Sequence, residues 1–149
     1  MPEFSNSFII ARPIAAVFDA ATTACYWPQW HPATLAVAGD VEYPARLGDT
    51  ITERVNFGGM TGEGTWTVVA WQPPTGLTLE ARTSLGLTRI EYALAETADG
   101  TLFHRDLSYE LGPPALDALM AEQSAVALAR LKALLETLIP AGDAADAPD

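Results

Sequence analysis

The sequence predicts an α+β fold: a curved, seven-stranded antiparallel sheet wrapped around one long C-terminal helix, with two short helices after the first strand. Three observations predict it. Residues 113–139 carry an apolar stripe at helical spacing and end at Pro140. Almost everything before them reads as period-two strand punctuated by turn residues. The turns are too short for crossover connections, so neighbouring strands must run antiparallel. A lone helix with an apolar stripe needs a sheet to lie on. Near the middle of that stripe the large side chains give way to Gln123 and Ala127, and a thinned helix on a curved sheet leaves an internal pocket.

The elements follow in order. Phe4, Phe8 and Ile10 alternate with polar residues and give a first strand. Pro13 stands where helices start, and Ile14, Val17 and Phe18 follow at helical spacing to about Ala21. The aromatic stretch from Cys25 to Pro32 is broken by Pro28 and holds a turn of helix at most. Strands are predicted over 35–43, 49–57, 64–71, 77–84, 87–96 and 101–111. Between them stand Gly48-Asp49, Gly58-Gly59, Pro73-Pro74-Thr75-Gly76, Gly86 and Asp99-Gly100, all turn formers. Gly112-Pro113-Pro114 then opens the last helix. On its wheel Leu116, Leu119, Met120, Gln123, Ala127, Leu131, Leu134 and Leu138 share one side. Residues 1–139 form one domain on this reading, and 140–149 a disordered acidic tail.

With 8 basic residues against 19 acidic ones, the net charge of -11 argues against nucleic acid and anionic membrane as partners. Cys25 is the only cysteine, so no intrachain disulfide forms. The N-terminus lacks the basic and apolar regions of a signal peptide, and no apolar run approaches the roughly 20 residues of a membrane span. A cytoplasmic protein without membrane insertion is the expectation. His31 and His104 have no metal-ligand spacing with other donors, so no metal is expected. The hairpin from Phe57 to Gly64 lacks the Gly-Lys-Ser/Thr ending of a phosphate loop; no nucleotide or other cofactor is expected. Cys25 has no base beside it, and no Ser–His–Asp signature appears.

Three stretches carry a family resemblance. Phe8-Ile9-Ile10-Ala11-Arg12-Pro13-Ile14-Ala15-Ala16-Val17-Phe18-Asp19 is a strand followed by a proline-led helix. Trp27-Pro28-Gln29-Trp30-His31-Pro32 sets tryptophan beside proline, and Leu47-Gly48-Asp49 leads into the third strand. Together with the element order, over roughly residues 4–139, the chain resembles the START-like, or Bet v 1-like (SRPBCC), superfamily with its helix-grip fold. The resemblance is to the branch of polyketide cyclases/dehydrases and lipid transporters. It implies a deep hydrophobic cavity between sheet and long helix, capped at one end by the short helices that carry Trp27 and Trp30. It implies no single activity, because the superfamily binds, transports, cyclises and assists chaperones.

Strand parity nominates the cavity wall. In the last strand Phe103, Arg105, Leu107, Tyr109 and Leu111 share the helix-facing side. A buried guanidinium is costly unless paired, so Arg105 either orients a polar group of a ligand or belongs to a structural ion pair. Glu53 shares the inward parity of Ile51, Val55 and Phe57. Tyr92 shares a face with Thr88, Ile90 and Leu94, and its hydroxyl can bond a ligand or simply pack. Trp66 is placed inward with Val68 and Ala70, and Trp71 outward unless a bulge intervenes. Trp30 serves as a pocket wall or a packing residue. Met120, Gln123 and Ala127 form the helix side, with Gln123 offering an amide or bonding to backbone. Phe57 and Met60 flank a glycine-rich hairpin that suits a gate over a cavity mouth.

Three functions fit. The first is binding or carriage of a small hydrophobic molecule, lipid-, isoprenoid- or polyketide-like, which needs one or two polar anchors. The second is an aromatase/cyclase or dehydratase in the same cavity, with Arg105 stabilising enolate charge and Tyr92 or Glu53 handling protons. The third is a partner-binding module like the Hsp90 activators of the superfamily. Neither one ligand nor an oligomeric state is written in the sequence.

Overall fold

The computed structural model describes residues 3–83 and 85–140. The first strand, β1 (Glu3–Ile10), is separated by two residues from Pro13, whose fixed φ of -63° sets the entry to α1 (Ile14–Thr22). A 3-10 turn (Ala24–Tyr26) leads directly into the one-turn helix α2 (Trp27–Trp30), with Pro28 in its first turn. Six strands then follow in sequence: β2 (Thr34–Gly39), β3 (Thr50–Phe57), β4 (Met60–Gln72), β5 (Gly76–Thr83), β6 (Gly86–Thr97) and β7 (Gly100–Tyr109). The long helix α3 runs Pro114–Leu138. All strands join one antiparallel sheet in the order β1-β7-β6-β5-β4-β3-β2. This is the helix-grip arrangement.

Strand alternation is strict where the sheet faces the helix. Thr101, Phe103, Arg105, Leu107 and Tyr109 of β7 are buried, as are Thr88, Ile90, Tyr92 and Leu94 of β6. The meander starts β7 at Gly100, whose φ of 137° lies in glycine's region. A Cβ there would stand 2.2 Å from the Ile10 carbonyl oxygen, so β1 and β7 close together only because that side chain is missing.

The far end of α3 is tied to β1. Arg12 donates to the Ile139 and Glu136 carbonyls, two of the C-terminal oxygens a helix leaves unpaired. Lys132 donates to the Ile9 carbonyl at 2.9 Å, and the Glu136 carboxylate accepts the Ala11 N–H at 2.8 Å.

Several elements depart from the sequence expectation. β2 stops at Gly39 rather than 43, because Gly39 takes a φ of 102° and the Asp40 carboxylate receives the Thr50 N–H, turning the chain. β4 begins at Met60 rather than 64. Gly58 and Gly59 both have positive φ and make a two-residue turn, so the strands pair from Phe57–Met60 onward. A bulge between Val68 and Ala70 reverses parity: Ala70 is exposed, not inward, and Trp71 pairs with Leu77 on the inward parity. Trp71 stays 41% exposed there, because it lies at the sheet's end beside Tyr43 and Arg46. β7 ends at Tyr109, so Leu111 leaves the sheet and is exposed instead of meeting the helix.

On α3 the buried line is Leu116, Met120, Ser124, Ala127, Leu128, Leu131 and Leu135. Gln123 is half-buried and Leu138 exposed. At about 100° per residue, positions 123 and 124 stand more than a quarter-turn apart, so the buried line is rotated from the stripe expected around Gln123 toward Ser124. Docking on the sheet sets that rotation. The acidic tail expected over 140–149 lies, from residue 141 on, outside the described residues, as does Ser84 at the expected end of the fifth strand.

Candidate functional site

Between the concave face of the sheet, α2 and the first half of α3 lies a cavity of about 420 Å³. Its volume falls within the roughly 300–1,000 Å³ of small-molecule sites. Most of the wall is apolar: Phe57, Leu85, Ile90, Leu107, Leu116 and Met120 supply it. The β3–β4 hairpin contributes Met60, Thr61 and Gly62 to the rim, and Met60 is 53% exposed there.

The polar part of the wall is small. Glu53 on β3 is buried and both its carboxylate oxygens are engaged: Oε2 accepts from the Thr34 hydroxyl on β2, and Oε1 from the Trp66 indole N–H on β4 at 2.9 Å. Three neighbouring strands thus hold one carboxylate in place. Burial pushes the Glu53 pKa up, opposed by these two bonds and by the charge of Arg105.

Arg105 on β7 is 3% exposed. Its Nη1 donates to the Ser124 hydroxyl of α3 at 3.5 Å, the outer limit of a hydrogen bond. Its Nε has no partner. Among the described residues no carboxylate lies within 4.0 Å of it, so the structural ion pair that parity allowed with Glu53 does not form. The charge still reaches its surroundings. The Tyr92 hydroxyl is pushed up to about 12 by burial while Arg105 pulls it down. The His31 pKa is lowered to about 3, by burial first and by Arg105 second. His31 is half-buried as a residue, but its Nδ1 is shut away without a partner. The indole N–H groups of Trp27 and Trp30, also in the cavity wall, are buried and unpartnered.

Of the residues nominated by sequence, Arg105, Glu53, Trp30, Phe57, Trp66, Tyr92, Leu107 and Met120 line this one cavity. Three do not. Tyr109 turns its hydroxyl to Asp117 on α3 and stacks on Phe4, which takes it into the packing between β1, β7 and the helix. Ala127 is fully buried further along α3, below the cavity. Gln123 lies off the wall, with its Oε1 buried and unpartnered. Trp27 stands with Trp30 at the capped end, as the resemblance implied, whereas Ser124, Thr34 and His31 are site residues that the sequence reading does not nominate. Ser124 lies about 100° round the helix from Gln123, off the centre of the large apolar side chains, and Thr34 sits at a register irregularity between β2 and β3, so neither left a clear signal in the sequence.

No helix among the described residues is long and apolar enough to cross a membrane. No curated protein sequence matches the chain significantly. Solved structures share its fold at low identity. A START superfamily protein from Mycobacterium smegmatis aligns with TM-score 0.77 and 16% identity, covering 93% of this chain and 99% of that one. A protein from Chromobacterium violaceum gives TM-score 0.71, 17% identity and coverage of 91% and 97%. Ara h 8.0201 gives 0.69, 14%, and 91% and 97%. The family model for polyketide cyclase/dehydrase and lipid transport matches residues 1–136. The order of elements, the gripped helix and that match together place this chain in the polyketide cyclase/dehydrase and lipid-transport family of the SRPBCC, or START-like, superfamily.

Proposed function

We propose that this protein binds a small hydrophobic molecule in the cavity between sheet and α3. The observation that carries the reading is an apolar chamber of about 420 Å³ with one buried guanidinium, Arg105, that has no carboxylate within 4.0 Å among the described residues. Buried charges without partners are expensive to keep, and a ligand-orienting role accounts for this one. The family's pairing of cyclisation with lipid transport supports a hydrophobic guest.

The cyclase or dehydratase reading uses the same chamber, with Glu53 as its proton-handling group. Its raised pKa favours that role. Its hydrogen bonds oppose it, since both oxygens are already committed to Thr34 and Trp66. A base must reach the proton it takes. Binding and carriage is therefore the reading preferred here.

Native mass spectrometry of the protein purified from its own source tests it. A retained apolar molecule of a few hundred daltons is the expected result. Failure to retain one, together with no enhancement of N-phenyl-1-naphthylamine fluorescence on adding protein, would sink the proposal.

A further inference from the structure

The cavity's polar groups also say what kind of head group it takes. Resting on the reading of the cavity as a ligand site, we propose that its ligand is a monocarboxylic amphiphile whose carboxylate docks on Arg105 and whose apolar body lies along Ile90, Leu107 and Met120.

Consider the hydrogen-bond inventory of the wall. Arg105 has five N–H donors; one makes a long bond to Ser124 and the Tyr92 hydroxyl draws on another, which leaves most of the fork unused. Its Nε and the indole N–H groups of Trp27 and Trp30 are further donors without acceptors. The main fixed acceptor, Glu53, is already occupied by Thr34 and Trp66. The acceptors left are the Tyr92 hydroxyl and one nitrogen of neutral His31, with Gln123 Oε1 off the wall, so around Arg105 the unpaired donors outnumber the free acceptors and complement an acceptor-rich group. A neutral alcohol offers a donor where none is needed. A carboxylate offers acceptor positions only and suits the planar fork of a guanidinium.

Charge limits the head group further. Arg105 and Glu53 are the charged residues buried in this region, and His31 stays neutral at ordinary pH. A single negative charge docked on Arg105 sits against its counter-ion, whereas a second finds no other buried cation among the described residues. A doubly charged phosphate ester would meet the Glu53 side of the chamber with its second charge. Size limits the tail. At about 30 Å³ for each water-sized group, the chamber holds on the order of 14 such groups, room for a single chain or a fused ring pair of about a dozen heavy atoms. A two-chain lipid exceeds that several-fold.

Competition for N-phenyl-1-naphthylamine, an uncharged probe, by decanoate, decanol and decyl phosphate tests the assignment at pH 7. The expected result is that decanoate displaces the probe at least tenfold more tightly than decanol. In Arg105→Met the probe still binds, but decanoate and decanol become equivalent. Arg105→Lys, which keeps the charge but not the fork, restores part of the preference. If the probe binds and decanoate is no better than decanol, or decyl phosphate is tighter than decanoate, or the preference survives in Arg105→Met, the carboxylate assignment is overturned while the cavity reading stands. If neither probe nor decanoate binds the wild-type protein, both fall.

Discussion

Arg105 and Glu53 are both buried and face one cavity, yet they do not form an ion pair: each is held by its own neighbours, Arg105 by Ser124 and Glu53 by Thr34 and Trp66. A guanidinium kept this way stabilises the fold poorly. Replacing a whole buried ion pair by apolar side chains of similar volume is often neutral or stabilising by about 1–4 kcal/mol, and an unpaired guanidinium lacks even the pair's attraction. Arg105→Met should accordingly unfold in urea at the same or a higher midpoint than the ligand-free wild type. A loss above about 2 kcal/mol would instead make Arg105 structural, since that is the scale of breaking a satisfied buried charge interaction.

Trp66→Phe removes the 2.9 Å bond to Glu53 and leaves a buried carboxylate oxygen without a donor. A cost of about 1–3 kcal/mol follows from that desolvation. Ser124→Ala breaks only a 3.5 Å contact and should cost less than about 1 kcal/mol. Urea denaturation of the two variants side by side checks the order.

Acid response should carry two opposed contributions. Glu53 has a folded pKa raised above its ordinary 4.5, so the native state binds the extra proton in the window above 4.5, and its contribution falls as pH rises through that window. His31 has a folded pKa lowered from 6.5 to about 3, so the unfolded state binds the extra proton between those values, and its contribution is lost as pH falls below 6.5. The two act in opposite directions where their windows overlap, from just above pH 4.5. Glu53→Gln should raise stability at pH 7 and steepen the acid loss; His31→Gln should flatten it. Urea midpoints from pH 4 to 8 read both slopes, and parallel profiles for wild type and Glu53→Gln would refute the account.

Gly100→Ala should be among the most damaging single-methyl changes in the chain. The added Cβ would sit 2.2 Å from the Ile10 carbonyl oxygen at a φ of 137°, so both steric clash and backbone strain oppose it. Gly62→Ala, whose Cβ would meet only the Val55 methyl at 3.8 Å, should stay within about 1 kcal/mol of wild type. Thermal unfolding of the pair measures the contrast.

Much of the site was legible in parity. Alternation along β7 placed Arg105 inward beside Phe103 and Leu107, and alternation along β3 did the same for Glu53, because a regular strand offers each side chain one of two faces. The same rule failed at Ala70 and Trp71, where one bulged residue reverses every face beyond it. Wheel geometry likewise found the gripping side of α3 but took Gln123 for the central polar residue where Ser124 stands.

By itself the sequence determined the helix-grip order of elements, the antiparallel meander and the inward charge on β7, since periodicity and turn chemistry are local properties of the chain. Only the tertiary structure decided that Arg105 and Glu53 remain apart, that Tyr109 belongs to packing with Asp117 and Phe4, and that Thr34 and Trp66 occupy the carboxylate. Those outcomes depend on how far one strand curls from another and how the helix is turned on the sheet. Such distances are set by the packing of the whole core.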